Sequence, residues 1–209
     1  NYCIKAFTSN NTSEENPDIK LAGKSLTMNG SIDVNFYMDL SETIANDPDT
    51  YMEFKTENGR TSKVQMNQAT KRTIDGSVYY GFSCPVYAKE MTDQVTAQFY
   101  ADGQPGKIYT YSIKQYAQNV LDGKVTCNQE TLNVVKAMLN YGAAAQVQFN
   151  YKTDTLANAS LSDTDKVITD GSFDDYKKSI STNEGIKGIG FYGSSLILIS
   201  DTTVRHYFQ

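Results

Sequence analysis

The run Ile32, Val34, Phe36 and Met38 puts an apolar side chain at every second position, directly after Asn29-Gly30, a dipeptide suited to the tightest hairpin turns. A period of two does not fit a helix. It commits the segment to a strand with one oily face, and such a strand needs partner strands beside it and a second layer over it. Leu26 and Met28 alternate on the near side of the turn, so the region reads as a β-hairpin. Further strands are predicted at Tyr51–Thr56, Lys63–Asn67, Ser77–Pro85, Val95–Ala101 and Ile108–Tyr111, divided by Glu57-Asn58-Gly59, Asp75-Gly76 and Asp102-Gly103. Short strands at this spacing predict a mainly β chain built as an antiparallel, Ig- or fibronectin-like β-sandwich.

The period changes after Tyr111. Ser112 is a suitable N-cap for a helix carrying Ile113, Tyr116, Ala117, Val120 and Leu121 on one face and ending at Asp122-Gly123. A second helix begins near Asn128, with Glu130 in its first turn, and presents Leu132, Val135, Leu139, Gly142 and Phe149 in one stripe. Together they predict a two-helix hairpin. The small run Gly142-Ala143-Ala144-Ala145 marks a place where another segment approaches closely.

The expected organisation is an N-terminal segment and linker over 1–23, with its polar stretch from Thr8 to Asp18, and a sandwich with helical hairpin over 24–152. A linker over 153–185 follows, with a short helix at Phe173–Ser179, and then the start of a second β unit over 186–209. The second unit rests on a repeat. Ser25, Leu26, Val34 and Tyr37 recur as Ser195, Leu196, Val204 and Tyr207, a constant shift because 195 − 25 and 207 − 37 both equal 170.

Composition narrows the function classes. The 24 acidic and 19 basic residues are interspersed, with no Lys/Arg cluster to follow a phosphate backbone, so nucleic acid is not an expected partner. The longest apolar stretch, around Ser195 to Ile199, is far too short for a membrane span. No signal peptide is visible, and the chain opens at Asn1 without a Met, as after processing or at an engineered boundary. Cys3, Cys84 and Cys127 have spacings of neither a disulfide framework nor a metal site; at most one pair is bridged, and Cys84 reads as a small buried hydrophobe.

Several runs carry a family resemblance: Asn35-Phe36-Tyr37, Ala88-Lys89-Glu90-Met91-Thr92-Asp93 followed by Val95-Thr96-Ala97-Gln98, Tyr109-Thr110-Tyr111-Ser112, Val135-Lys136-Ala137-Met138-Leu139-Asn140-Tyr141-Gly142, and Leu156-Ala157-Asn158. On them the segment Lys24 to Asn158 resembles a module of large secreted and cell-surface multidomain proteins of gut and rumen Clostridia. The resemblance implies an extracellular, non-catalytic role beside Ig-like, dockerin or carbohydrate-active modules. It also implies a second, diverged copy following the first.

Catalytic patterns are sparse. The single histidine, His206, sits between Arg205 and Tyr207 in a predicted strand, and zinc-protease, P-loop and nucleophile-elbow motifs are missing. Asp33 with Asp39 is a candidate glycosidase pair, and Asp163/Asp165 and Asp174-Asp175 are candidate calcium ligands; all read more simply as solvated charges. No cofactor or metal is expected.

The aromatic pattern carries the functional expectation. Strand alternation sets Asn35 and Tyr37 opposite the Ile32–Met38 face, Gln98 and Tyr100 opposite Val95, Ala97 and Phe99, and Tyr79 opposite Tyr80, Phe82 and Cys84. Tyr37, Tyr79 and Tyr100 interleaved with Asn35 and Gln98 offer stacking planes and directional partners for a sugar, so a polysaccharide or host glycan is the expected ligand class. The competing expectation covers these tyrosines with the helical hairpin, as half-buried core in a spacer that positions neighbouring domains or in a ligand-free protein-protein interaction module.

Overall fold

The computed structural model describes residues 18–29, 31–166, 191–198 and 202–208. Expectations for Cys3, the polar stretch before Asp18, Asp174, Asp175 and the helix at Phe173–Ser179 lie outside the described residues.

The described chain is mainly β. Strands β1 (Ile19–Asn29), β2 (Ser31–Leu40), β5 (Thr70–Ile74) and β6 (Ser77–Pro85) form one antiparallel sheet in the order β1-β2-β6-β5. Strands β3 (Tyr51–Thr56), β4 (Thr61–Gln65), β7 (Val95–Ala101) and β8 (Gln104–Tyr111) form a second in the order β4-β3-β7-β8. A short helix α1 (Glu42–Ala45) links β2 to β3.

The two sheets face each other through the side chains that the alternation marked as interior. Phe36 of β2 meets Phe54 of β3 at 5.9 Å between ring centroids, and Phe82 of β6 meets Phe99 of β7 edge-on at 5.8 Å. These rings are fully buried, each worth about 2–3 kcal/mol of burial, and Val34, Met38, Met52, Cys84, Val95 and Ala97 fill the space around them. The arrangement is β-sandwich-like.

Two differences from the sequence reading concern edges. β1 opens at Ile19, so the boundary expected at residue 24 falls inside a strand whose apolar alternation, Ile19 and Leu21 and then Leu26 and Met28, changes phase at the bulge between Leu21 and Gly23. β5 was not anticipated because Thr70–Ile74 lies at the edge of its sheet, where polar, exposed residues suffice and no oily alternation is needed. For the same reason edge strand β8 begins at Gln104, earlier than its first apolar residue, Ile108.

Helix α2 (Ile113–Leu121) starts with a reciprocal cap: the Gln115 amide donates to Ser112 Oγ at 3.0 Å, and the Ser112 amide donates to Gln115 Oε1 at 3.1 Å. It stops at Asp122, where Gly123 takes a φ of +69°. Helix α3 (Gln129–Gln148) is capped by Asn128, whose side chain accepts from the Thr131 amide. The helices touch each other; α3 packs on the 3-10 turn Ala88–Glu90 and α2 reaches edge strand β1. Their apolar stripes thus extend the core at the turn between β6 and β7.

At Gly142 the close approach is made by a side chain: a Cβ there would stand 2.5 Å from Met91 Sδ and 3.2 Å from the Ala157 Cβ. The stretch after α3, within the expected linker over 153–185, is packed at least to residue 166. The Ala157 amide donates to Gln146 Oε1 at 2.8 Å, Gln146 Nε2 donates to the Lys152 and Thr155 carbonyls, and Asn140 Nδ2 donates to the Asp165 carbonyl at 2.8 Å. Ala157 and Leu161 join the core. Few apolar residues were needed because buried amides on α3 supply the anchoring, a device invisible to hydropathy.

Strands β9 (Phe191–Leu198) and β10 (Thr202–Phe208) pair antiparallel in a sheet of their own. No helix among the described residues is long and apolar enough to cross a membrane.

Candidate functional site

The outer face of the second sheet collects its polar and aromatic side chains in rows. With Met52 and Phe54 turned inward, Tyr51, Glu53 and Lys55 face out; with Val95, Ala97 and Phe99 inward, Thr96, Gln98 and Tyr100 face out. Antiparallel pairing then sets Tyr51 beside Tyr100, Glu53 beside Gln98 and Lys55 beside Thr96, with Lys63 and Ile108 completing the Glu53 row from the flanking strands.

The aromatic pair is fixed. The Tyr51 and Tyr100 rings stack at 4.6 Å and 13°, and Lys63 Nζ caps the Tyr51 ring at 3.4 Å from its centroid. Tyr100 donates its hydroxyl to Gln98 Oε1 at 3.3 Å, while Gln98 Nε2 donates to the Gly106 carbonyl at 3.2 Å. Desolvation by its neighbours, and then the Glu53 charge, raise the Tyr100 phenol above its ordinary value, so it stays protonated and a donor. Beside the stack lies a groove of about 560 Å³ lined by Glu53, Lys55, Lys63, Thr96, Gln98 and the largely exposed Ile108. It combines apolar surface with donors and acceptors on rigid strands.

Of the five residues singled out from sequence, only Gln98 and Tyr100 share this face. Asn35, Tyr37 and Tyr79 lie on the first sheet. Asn35 is 2% exposed, donating to Ser25 and Thr27 hydroxyls at 3.2 and 2.9 Å and accepting from Ser83 Oγ at 2.6 Å. Tyr37 is 6% exposed: its ring lies across Gly81, where a Cβ would come within 2.7 Å of Cε1, and the Arg72 guanidinium stands 5.2 Å above it. Tyr79 is half-buried next to Arg72 in register. Tyr37 is thus covered by its own sheet and Arg72. Tyr51, Glu53 and Lys63 were not singled out; Tyr51 and Glu53 share a side of β3, a pattern within the expected strand, but the pairing of β3 with β7 that joins them to Tyr100 is a long-range fact.

A second polar cluster surrounds Ala88–Asp93. Glu90, 1% exposed, accepts from Asn58 Nδ2 and is bridged by Arg60 at 3.1 Å. Asp93, 2% exposed, accepts from the Tyr151 hydroxyl at 2.5 Å and from Lys152 Nζ at 2.8 Å, and Lys152 also reaches Glu57 at 2.7 Å. Lys89 Nζ stands over the Phe149 and Tyr151 rings, and the Met91 carbonyl accepts from the Lys114 amide at 3.0 Å. Lys89, Met91 and Asp93 tie this loop to the helical segment, Glu90 ties it to the turn between β3 and β4, and the two buried carboxylates are each matched by a cation.

The other carboxylates considered do not converge. Asp33 and Asp39 share strand β2 six positions apart, about 20 Å along an extended chain, well beyond glycosidase spacing. Asp165 is engaged by Lys136 and Ser162, which hold it below the usual carboxylate range, and Asp163 is exposed. Asp47, Asp49 and Asp102 bring carboxylate oxygens within 4.8 Å of one another, a set with the chemistry of a hard cation ligand. Asp47 already accepts from the Asp49 and Asp102 amides and the Thr50 hydroxyl, which lower its pKa and pin the loops together.

No family model, curated protein or solved structure matches this chain.

Proposed function

We propose that the chain is a non-catalytic extracellular binding module of a larger surface or secreted protein, of the kind the Clostridial resemblance implies, with a polysaccharide or host glycan as its ligand. In this reading the fold is an Ig- or fibronectin-like sandwich carrying a helical hairpin, followed by the start of a second unit. The binding surface is the outer face of the β4-β3-β7-β8 sheet.

The observation that carries the proposal is the Tyr51–Tyr100 stack held beside a groove on an exposed strand face. A sugar offers an apolar ring face bordered by hydroxyls; Tyr100 and Ile108 supply apolar surface, and Glu53, Lys55, Thr96 and Gln98 supply partners. The non-catalytic part is supported by Glu90 and Asp93 being bound into ion pairs inside the packing.

A glycan array followed by affinity gels tests it. Binding should vanish in Tyr100→Ala and Gln98→Ala, while the fold persists with a loss of about 1 kcal/mol from the broken stack. Tyr37→Ala should instead destabilise the protein by about 3–5 kcal/mol, the range for emptying a buried aromatic site. Wild-type binding by the Tyr100 variant, or silence across the array, would defeat the glycan reading. Silence would favour a spacer or a protein-protein interaction module, readings that the tight coupling of helices to sheets through Lys89, Met91 and Asp93 also supports. Release of reducing sugar would defeat both.

A further inference from the structure

Register arranges the outer face of the second sheet in rows that run across its strands. Lys63, Glu53, Gln98 and Ile108 make one row, and Tyr51 stands beside Tyr100 in the next. On the other side of the first row, Thr61, Lys55, Thr96 and Thr110 follow one another across β4, β3, β7 and β8. Alternate residues of a strand share a face at a spacing of about 7 Å, so along β3 Lys55 stands about 7 Å from Glu53 and about 14 Å from Tyr51. The groove beside the tyrosine stack thus reaches, past Glu53 and Gln98, an ammonium set between the Thr61 and Thr96 side chains.

The charges around Lys55 are engaged elsewhere or opposed to it in sign. Lys63 Nζ caps the Tyr51 ring at 3.4 Å from its centroid. Glu57, two positions beyond Lys55, is held by Lys152 Nζ at 2.7 Å and by the Gln94 amide at 3.2 Å. Lys55 itself is exposed, and among the described residues it enters no ion pair and caps no ring. An exposed ammonium with a hydroxyl on either side suits one carboxylate, which accepts from all three groups. Glu53, one row away, sets the limit on charge. A chain with a carboxylate on every ring would place one on Lys55 and the next against Glu53, where like charges repel.

We propose, resting on the glycan reading above, that the ligand of this groove is an oligosaccharide of neutral sugars carrying a single uronic acid, whose carboxylate sits on Lys55 between the Thr61 and Thr96 hydroxyls. The neutral rings then extend over Gln98 and Ile108 towards Tyr100, with Glu53 accepting from sugar hydroxyls. Lys55 selects for the acid and Glu53 selects against a second one, so attraction and repulsion together set the specificity.

The test is calorimetric titration of the full chain with a xylo-oligosaccharide bearing one glucuronic acid, and with the same oligosaccharide after its carboxyl has been reduced to the alcohol. At low salt the acid should bind about fivefold more tightly, the upper end for an exposed ion pair, and the preference should shrink towards unity at about 0.5 M salt. Lys55→Gln should bring the acid-to-alcohol ratio to unity, whereas Lys55→Arg should keep it. An oligogalacturonate, charged on every ring, should bind the wild-type chain more weakly than the singly charged probe and should gain on it in Glu53→Gln. Circular dichroism checks that the variants keep the fold. With binding on the glycan array intact, four results overturn the inference alone: no binding of the acidic probe, equal binding of acid and alcohol, a preference that survives Lys55→Gln, or tighter binding of the oligogalacturonate to the wild-type chain. Silence of array and probes together defeats the glycan reading as well.

Discussion

Removing the Asp93 carboxylate probes how the helical segment is held on the sheets. Asp93 is 2% exposed and accepts two hydrogen bonds, from the Tyr151 hydroxyl at 2.5 Å and the Lys152 ammonium at 2.8 Å. Stranding the partner of a buried ion pair costs about 3–5 kcal/mol. In Asp93→Ala the lysine is not stranded, because its side chain is 32% exposed and keeps Glu57 Oε1 at 2.7 Å. What disappears is a pair of hydrogen bonds to a carboxylate, each worth about 1.5–3 kcal/mol and not additive within one network. The expected loss is therefore about 2–3 kcal/mol, less than for a stranded charge. For a domain of this size that lowers Tm by about 4–12 °C. Urea melts followed by circular dichroism measure it. Asp93→Asn keeps the shape but turns an amide N–H₂ or a weaker acceptor towards Lys152, so it should recover little of the loss. A change below about 0.5 kcal/mol in the alanine variant, the scale of an ordinary surface substitution, or full recovery in the asparagine variant, would refute the reasoning.

Three further outcomes follow from other parts of the structure. Gly142→Ala should cost about 1–3 kcal/mol by overpacking, since the new methyl meets the buried Met91 Sδ, and Met91→Ala in the same chain should relieve part of it; the double-mutant cycle reads the coupling. Burial pushes the Tyr111 phenol up to about 12, and burial followed by the Asp93 contacts does the same for Tyr151. Their raised folded-state values mean that stability is intact below the ordinary value of 10.0 and falls as pH rises towards about 12, so denaturant midpoints should drop over that window and drop less in Tyr111→Phe and Tyr151→Phe. The Cys84 thiol, raised to about 11 chiefly by burial, should resist a thiol reagent at pH 8 in the native state, whereas the more exposed Cys127 should react first.

The alternation from Ile32 to Met38 was sufficient to place β2 and its interior face, because pleat direction is a property of the strand itself. Ser112 and Asn128 marked helix starts for the same kind of reason: a cap bonds an amide three residues away. The residues quoted from Ala88 to Asp93 stood out as a pattern, but their meaning lay in partners at positions 58, 60, 142, 151 and 152. The packing of residues 153–166 was illegible because its anchors are the amides of Gln146 and Asn140, and hydropathy counts those as solvent-loving.

Sequence alone therefore determined which side chains leave each strand on its outer side, Tyr37 and Tyr100 among them. Tertiary structure decided their different fates. Tyr37 is flanked by Gly23 and Gly81 and roofed by Arg72, whereas Tyr100 meets Tyr51 on a face that borders an open groove. The orientation of a side chain is set within two residues, but what covers it is set by strand order, and strand order comes from pairings made across the whole chain.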